Sequence, residues 1–182
     1  MWNPPQSEKL LTSPAISRIL GTAKPTTEKM MEAGIFGTIY QGERSNMVQN
    51  SEVEAFMSRD KISLEDLPMA FIVKPAPARP VAESDRDWIG YHSSMPESIA
   101  AMALDRWWSI SNPSAMEGKL FVAVLGAAPV RVRRITAVAA VDPSGRVALE
   151  TVQTSSDDIE AKHWQAARID AIPGGLTVRH KF

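Results

Sequence analysis

The residue types that carry chemistry are sparse in this chain, and their spacing favours binding over catalysis. There is no cysteine, and the three histidines, His92, His163 and His180, are isolated from one another without metal-ligand spacing. Ser93 and Ser94 beside His92 do not form a nucleophile elbow, and no Gly-x-Ser-x-Gly or phosphate-loop motif is present. Asp157-Asp158-Ile159-Glu160 offers oxygen ligands for a hard cation, but at a helix start such carboxylates more simply complement the helix dipole. The densest cationic cluster is Arg131, Arg133, Arg134 and Arg146. Adjacent strands can gather these guanidiniums into one patch suited to phosphate oxygens. No enzyme activity, cofactor or metal is expected.

Composition sets the outer bounds. A length of 182 residues suits one compact domain or two small ones, and 44% hydrophobic with 23% charged residues is ordinary for a globular protein. No apolar run approaches the roughly 18 residues of a membrane span. Met1–Gln6 has neither the charged nor the apolar region of a secretory signal. These features, with the lack of cysteine, lead to the expectation of a cytoplasmic protein that does not engage membranes. Net charge is −1. Residues 1–60 hold six Lys/Arg against seven Asp/Glu, 61–115 five against seven, and 116–182 nine against seven. Any nucleic-acid binding must therefore rest on where a few cations are placed, not on bulk charge.

The elements that would place them follow from local signals. Thr12 or Ser13 can cap a helix with Pro14 in its first turn; Ala15, Ile16, Ile19 and Leu20 recur at helical spacing, and Gly21 stops it. Pro25 opens a second helix with Met30 and Met31 on its apolar side and Gly34 as its end. Ile35–Tyr40 and Met47-Val48 read as a hairpin around a turn-rich 41–46. Ser51 and Glu54 have capping-box spacing for a third helix carrying Val53, Phe56 and Met57. This order is that of a small winged helix-turn-helix, assigned to 8–67. Three prolines within 75–80 suggest an extended linker, placed at 68–93. From 94 to 182 a helix opens at Ser94-Met95-Pro96-Glu97. Strands follow at Lys119–Leu125 and Val130–Val141, with a phase shift at Arg134-Ile135. Further strands are read at Arg146–Val152, at Arg168–Ile172 and, past Pro173-Gly174-Gly175, at Leu176–Phe182. Asp142-Pro143-Ser144-Gly145 is a strong turn signal, and a second helix opens at Ser156-Asp157-Asp158. The expected fold class is α+β: a winged helix-turn-helix, a Pro-rich linker, and a β-rich small barrel or twisted sheet with two helices.

Leu11-Thr12, Ile19-Leu20-Gly21, Thr26 to Met31, Glu32-Ala33-Gly34, Gly42-Glu43-Arg44 and Ser51–Met57 form an ordered set over just over a quarter of the chain. In that order the segment 10–58 resembles the excisionase-type, MerR-like winged helix DNA-binding domains. The resemblance implies double-stranded DNA as partner, with the second helix in the major groove and the wing against the backbone or minor groove. It assigns Lys24, Thr26, Thr27 and Lys29 to the recognition helix, Arg44 and Ser45 to the wing, and Arg18 to a phosphate. The sequence departs from the family in setting Glu43 beside Arg44 and in placing Glu28 and Glu32 on the recognition helix. Affinity must then come partly from elsewhere: Arg131, Arg133 and Arg134, a homodimer, or a protein partner.

The helix running into Asp105-Arg106-Trp107-Trp108, the hydrophobic strand, Gly126 and the Val-x-Val-x-x-Ile strand more loosely resemble small PUA/EVE-type β-barrels. That resemblance would let Trp107 or Trp108 stack a base, where the simpler reading has both filling the core. The expected function is a sequence-specific double-stranded-DNA-binding regulator of bacterial or phage type, a repressor or excisionase-like factor acting by occupancy. The alternatives are a base reader working through the carboxyl barrel, and a phage or bacterial adaptor using the helix-turn-helix for protein contacts.

Overall fold

In the computed structural model the described residues are 8–83, 85–170 and 172, with Thr177–His180 described as backbone. Met1–Gln6 and the Pro173-Gly174-Gly175 turn lie outside them. The described chain is mixed α+β, and no helix in it is long and apolar enough to cross a membrane.

The amino-terminal part opens with β1 (Leu10–Thr12), then α1 (Ser13–Leu20) and α2 (Lys24–Glu32). Pro14 and Pro25 each sit in a first turn, where the missing N–H has no helical acceptor to lose. Gly21 ends α1 at φ 67°. At the end of α2 the N–H groups of Ile35 and Gly34 donate to Met30 and Met31 carbonyls, with Gly34 at φ 71°, which is a Schellman stop. That stop replaces the expected strand at Ile35–Tyr40: 34–39 turns twice through Gly34 and Gly37, and pairing begins only at β2 (Tyr40–Gln41). β3 (Asn46–Gln49) lies between β1 and β2, antiparallel to both. α3 (Asn50–Met57) starts one residue before Ser51, so the expected capping box does not form; Asn50 Nδ2 donates to Glu54, and Ser51 donates to Glu8.

After the two-residue β4 (Asp60–Lys61), β5 (Ala70–Val73) enters the main sheet with all four residues buried. The expected linker at 68–93 is thereby corrected: its first residues are a core strand. Its proline-rich part is tied down as well. Ala78 N–H donates to the Tyr91 carbonyl and Tyr91 N–H to the Ala76 carbonyl, β6 (Arg79–Pro80) pairs β7 (Trp88–Ile89), and Val81 N–H donates to Asp87 O. Gly90 is required there, because its φ is +85° and a Cβ would lie 2.5 Å from the carbonyl oxygens of Ala76 and Pro77.

α4 (Glu97–Leu104) starts at Glu97 without a side-chain cap, later than the Ser94 opening expected. It crosses to β8 (Leu120–Leu125), parallel to β5. β9 (Ala128–Val141) and β10 (Val147–Gln153) continue as antiparallel neighbours. α5 (Ile159–Ala166) is capped by Asp158, whose carboxylate accepts from Ala161 N–H. β11 (Ala167–Arg168) pairs β4, and β12 (Thr177–His180) pairs β5. The sheet order is β10-β9-β8-β5-β12. Among the described residues β10 and β12 stand at the ends of this order.

Strand alternation sends Ile72, Leu120, Val122 and Val132 to one face under α5 and its Trp164. Phe71, Phe121, Ala123 and Ile135 go to the other, under Leu104 of α4. The expected separation of 8–67 from 94–182 does not hold. Leu125, Ala127 and Ala128 at the β8–β9 turn are buried together with Leu11, Ile16, Met30, Phe36 and Phe56. Gly126 fits so closely under α2 that a Cβ would meet Met30 Sδ at 2.6 Å.

Candidate nucleic-acid interface

Helix α2 distributes its side chains by its 3.6-residue period. Met30, Met31 and Thr27 point into the amino-terminal core, while Lys24, Glu28, Lys29 and Glu32 are exposed. Thr27 is 0% exposed, accepting from the Ser17 hydroxyl at 2.9 Å and lying 2.9 Å from that of Thr22. Its assignment to DNA is therefore corrected: its hydroxyl is spent joining α2 to α1. Thr26 is half-buried, with its methyl facing Gly126, so it sits at the seam with the sheet.

The loop between β2 and β3 closes on a Gly42 N–H to Ser45 carbonyl bond of 3.0 Å. A Cβ at Gly42 would be 2.8 Å from Met47 Cε and 3.0 Å from Ser45 O, so glycine is the residue that permits this tight return. The loop holds Arg44, Ser45 and Asn46 opposite α2. Between them lies a groove of about 510 Å³ lined by Lys24, Glu28, Glu32, Arg44, Ser45 and Asn46 among others. Lys24 pairs with Glu28 at 3.4 Å across exposed solvent. Arg18 is exposed on α1 and donates to the Pro14 carbonyl. Among the described residues, Lys29 and Arg44 have no ion-pair partner. Of the amino-terminal site residues, the structure thus presents Arg18, Lys24, Lys29, Arg44 and Ser45 to solvent and withdraws Thr27. Asn46 reads from sequence only as a turn residue; in the structure its amide joins the Ser13 and Ser45 hydroxyls as a neutral donor and acceptor lining the groove.

The carboxyl arginines do something different. On β9, Arg131 and Arg133 stand opposite Ala123 and Phe121, on the α4 face. Arg134 stands opposite Leu120, on the α5 face. One strand therefore splits the cluster between two sides of the sheet. Arg131 is 6% exposed and bonds Asp105 at the end of α4, with Glu97 at 2.8 Å; Arg133 reaches the same Glu97 at 3.1 Å. Thr151 donates to the second Asp105 oxygen at 2.7 Å. Burial pushes the Asp105 carboxyl up against the pull of Arg131, and burial lowers the Arg133 guanidinium. Arg134 grips the α5 cap: Nε and Nη2 donate to Asp158 at 2.8 and 2.9 Å, and Nη2 reaches Glu160 at 2.7 Å. Those bonds hold Asp158 below the usual carboxylate range. Arg146 pairs with Asp142 in the β9–β10 turn, where hydrogen bonds from Ser144 and Arg146 bring the Asp142 pKa to about 2. The expected phosphate patch of Arg131, Arg133 and Arg134 is therefore corrected. Arg131 is buried, and all three are already paired with carboxylates in the protein, pairs that must be broken before a phosphate can be gripped.

The two tryptophans are also occupied: Trp107 Nε1 donates to Asp85 at 3.0 Å, and Trp108 Nε1 to the Leu104 carbonyl at 2.6 Å. His92 Nδ1 accepts from the Ser94 backbone N–H at 3.1 Å and lies 2.8 Å from the Ser94 hydroxyl, a local turn arrangement within two residues. No group of three or more His, Asp or Glu able to hold a metal ion occurs among the described residues. Comparison of the chain with protein-family models, curated proteins and solved structures gave no match.

Proposed function

We propose that this chain is a double-stranded-DNA-binding regulator that acts by occupancy through α2 and the β2–β3 loop. The observation that carries the reading is the groove between these elements, lined by Lys24 of α2 on one side and by Arg44, Ser45 and Asn46 of the loop on the other. On this reading α2 lies in a major groove and Arg44 meets the adjacent backbone. Arg18 and Lys29 add phosphate contacts from the flanks. Glu28 and Glu32 face the same groove; a carboxylate there accepts from the cytosine amino group and penalises the other bases. The carboxyl sheet supports the reading by holding α2 rigidly through Gly126, not by adding cations. Four exposed cations give weak binding for one copy, so the working form is a homodimer or a complex with a protein partner.

The test is selection of bound sequences from a random duplex pool. The expected result is a short half-site containing C·G pairs, repeated with twofold symmetry at a spacing of about 10 base pairs. Recovery of unenriched sequence at low salt would overturn the sequence-specific reading.

A further inference from the structure

A second surface lies on α4, away from the α2 groove. Six of the eight residues of α4 are apolar, so it cannot bury one stripe and wet the other. Ala100, Ala103 and Leu104 pack inward, and the outward face keeps Ile99 and Met102. Beside it, the β6–β7 hairpin sets down Trp88, 39% exposed, while Met102 is 37% exposed. Hollows of about 270, 380 and 360 Å³ adjoin across this face. The first two share Trp88 and Ile99, and the first and third share Met102. Exposed tryptophan and methionine on one concave strip form an adaptable anchor surface.

The rim identifies the occupant. Glu83, Asp85 and Asp87 border the strip at one end and Glu150 at the other. The guanidiniums within reach are Arg86, paired with Glu83 at 2.7 Å, and Arg106, paired with Asp85 at 3.2 Å. Two cations against four carboxylates leave two negative charges uncompensated, and among the described residues Asp87 and Glu150 have no ion-pair partner. This field repels nucleic acid and anionic membranes and attracts cations. We propose that the α4 strip docks a basic segment of a partner protein, with an apolar side chain seated against Trp88 and Met102 and flanking Lys or Arg meeting Asp87 and Glu150. Desolvation of the aromatic and methionine contacts supplies the affinity, and the rim supplies orientation and encounter rate.

The test uses the full chain and a phage-displayed library of random 12-residue peptides, selected in the presence of duplex DNA so that the α2 groove is not the bait. The leading peptide is then synthesised with a fluorophore and titrated. The expected result is enrichment of Lys and Arg beside Leu, Phe or Trp. Binding should weaken at least tenfold in Trp88→Ala, and severalfold in the charge-reversed Asp87→Lys, with duplex affinity unchanged in both. Asp87 has an exposed side chain, so its variant remains informative if Trp88→Ala unfolds. No enrichment over a blank surface, enrichment of acidic peptides, or a titration unchanged by Asp87→Lys would each overturn the proposal. A failure of the DNA reading would appear instead in the duplex titration, and leaves this outcome separate.

Discussion

Arg44 and Arg131 carry the same group in opposite surroundings, and the difference decides what each can do. Arg44 stands in solvent on a loop with its charge free, whereas Arg131 is enclosed between Asp105 and Glu97. Removing one member of a buried ion network leaves its partners charged and dry, at a cost of about 3–5 kcal/mol. Arg131→Ala should therefore lower the thermal midpoint by roughly 10 °C, at about 2–4 °C per kcal/mol for a chain of this size. Wherever it remains folded, the salt dependence of DNA binding should be unaltered; a flatter salt dependence in folded Arg131→Ala would return that arginine to the interface. Thr27 is a similar case on a smaller scale. Thr27→Val keeps the shape but removes the hydroxyl that Ser17 and Thr22 meet, leaving Ser17 its bond to the Ser13 carbonyl, and should cost about 1 kcal/mol in denaturant unfolding. A neutral result there would mean that its hydroxyl is not what ties α2 to α1.

At the scale of elements, stops and turns were legible because their causes lie within four residues. Gly21, Gly34, Pro14, Pro25, the Asp142 turn and the Asp158 cap act where sequence places them. What sequence could not reveal was partnership at long range. The prolines of 75–80 look like a spacer until Gly90 and Tyr91 close against them, and β5 looks like an ordinary apolar run until β8 pairs with it from fifty residues away. Strand parity already divided Arg131 and Arg133 from Arg134, but nothing local announced that Glu97, Asp105 and Asp158 wait beneath them. The α5 cap gives a pH test. The Asp158 carboxylate is held low chiefly by Arg134, so its stabilisation is complete above the unfolded value of about 4 and is lost as pH falls through the lower folded value. Asp158→Asn, which retains a capping oxygen, should lower the melting temperature at pH 7 and flatten its decline below pH 4. A variant whose acid profile overlays the parent's would show that Arg134 does not govern the cap.

For the molecule as a whole, the two halves share a core at Ala127 and Ala128, so α2 is mounted on the sheet and not tethered to it. Mounting fixes orientation, yet the sheet's arginines are engaged by carboxylates, and the chain's net charge of −1 adds no long-range attraction. On the proposed reading, binding comes from Arg18, Lys24, Lys29 and Arg44. Each phosphate neutralised contributes about 0.9 to the logarithmic salt slope. The direct measurement is a polarisation titration of a labelled duplex between 50 and 200 mM salt, on the parent and on the double variant Lys29→Ala/Arg44→Ala. The expected slope is about −3 to −4 per bound copy, falling to about −2 in the double variant with a matching loss of affinity. Absence of binding at 50 mM, or a slope that the double variant leaves unchanged, would contradict it.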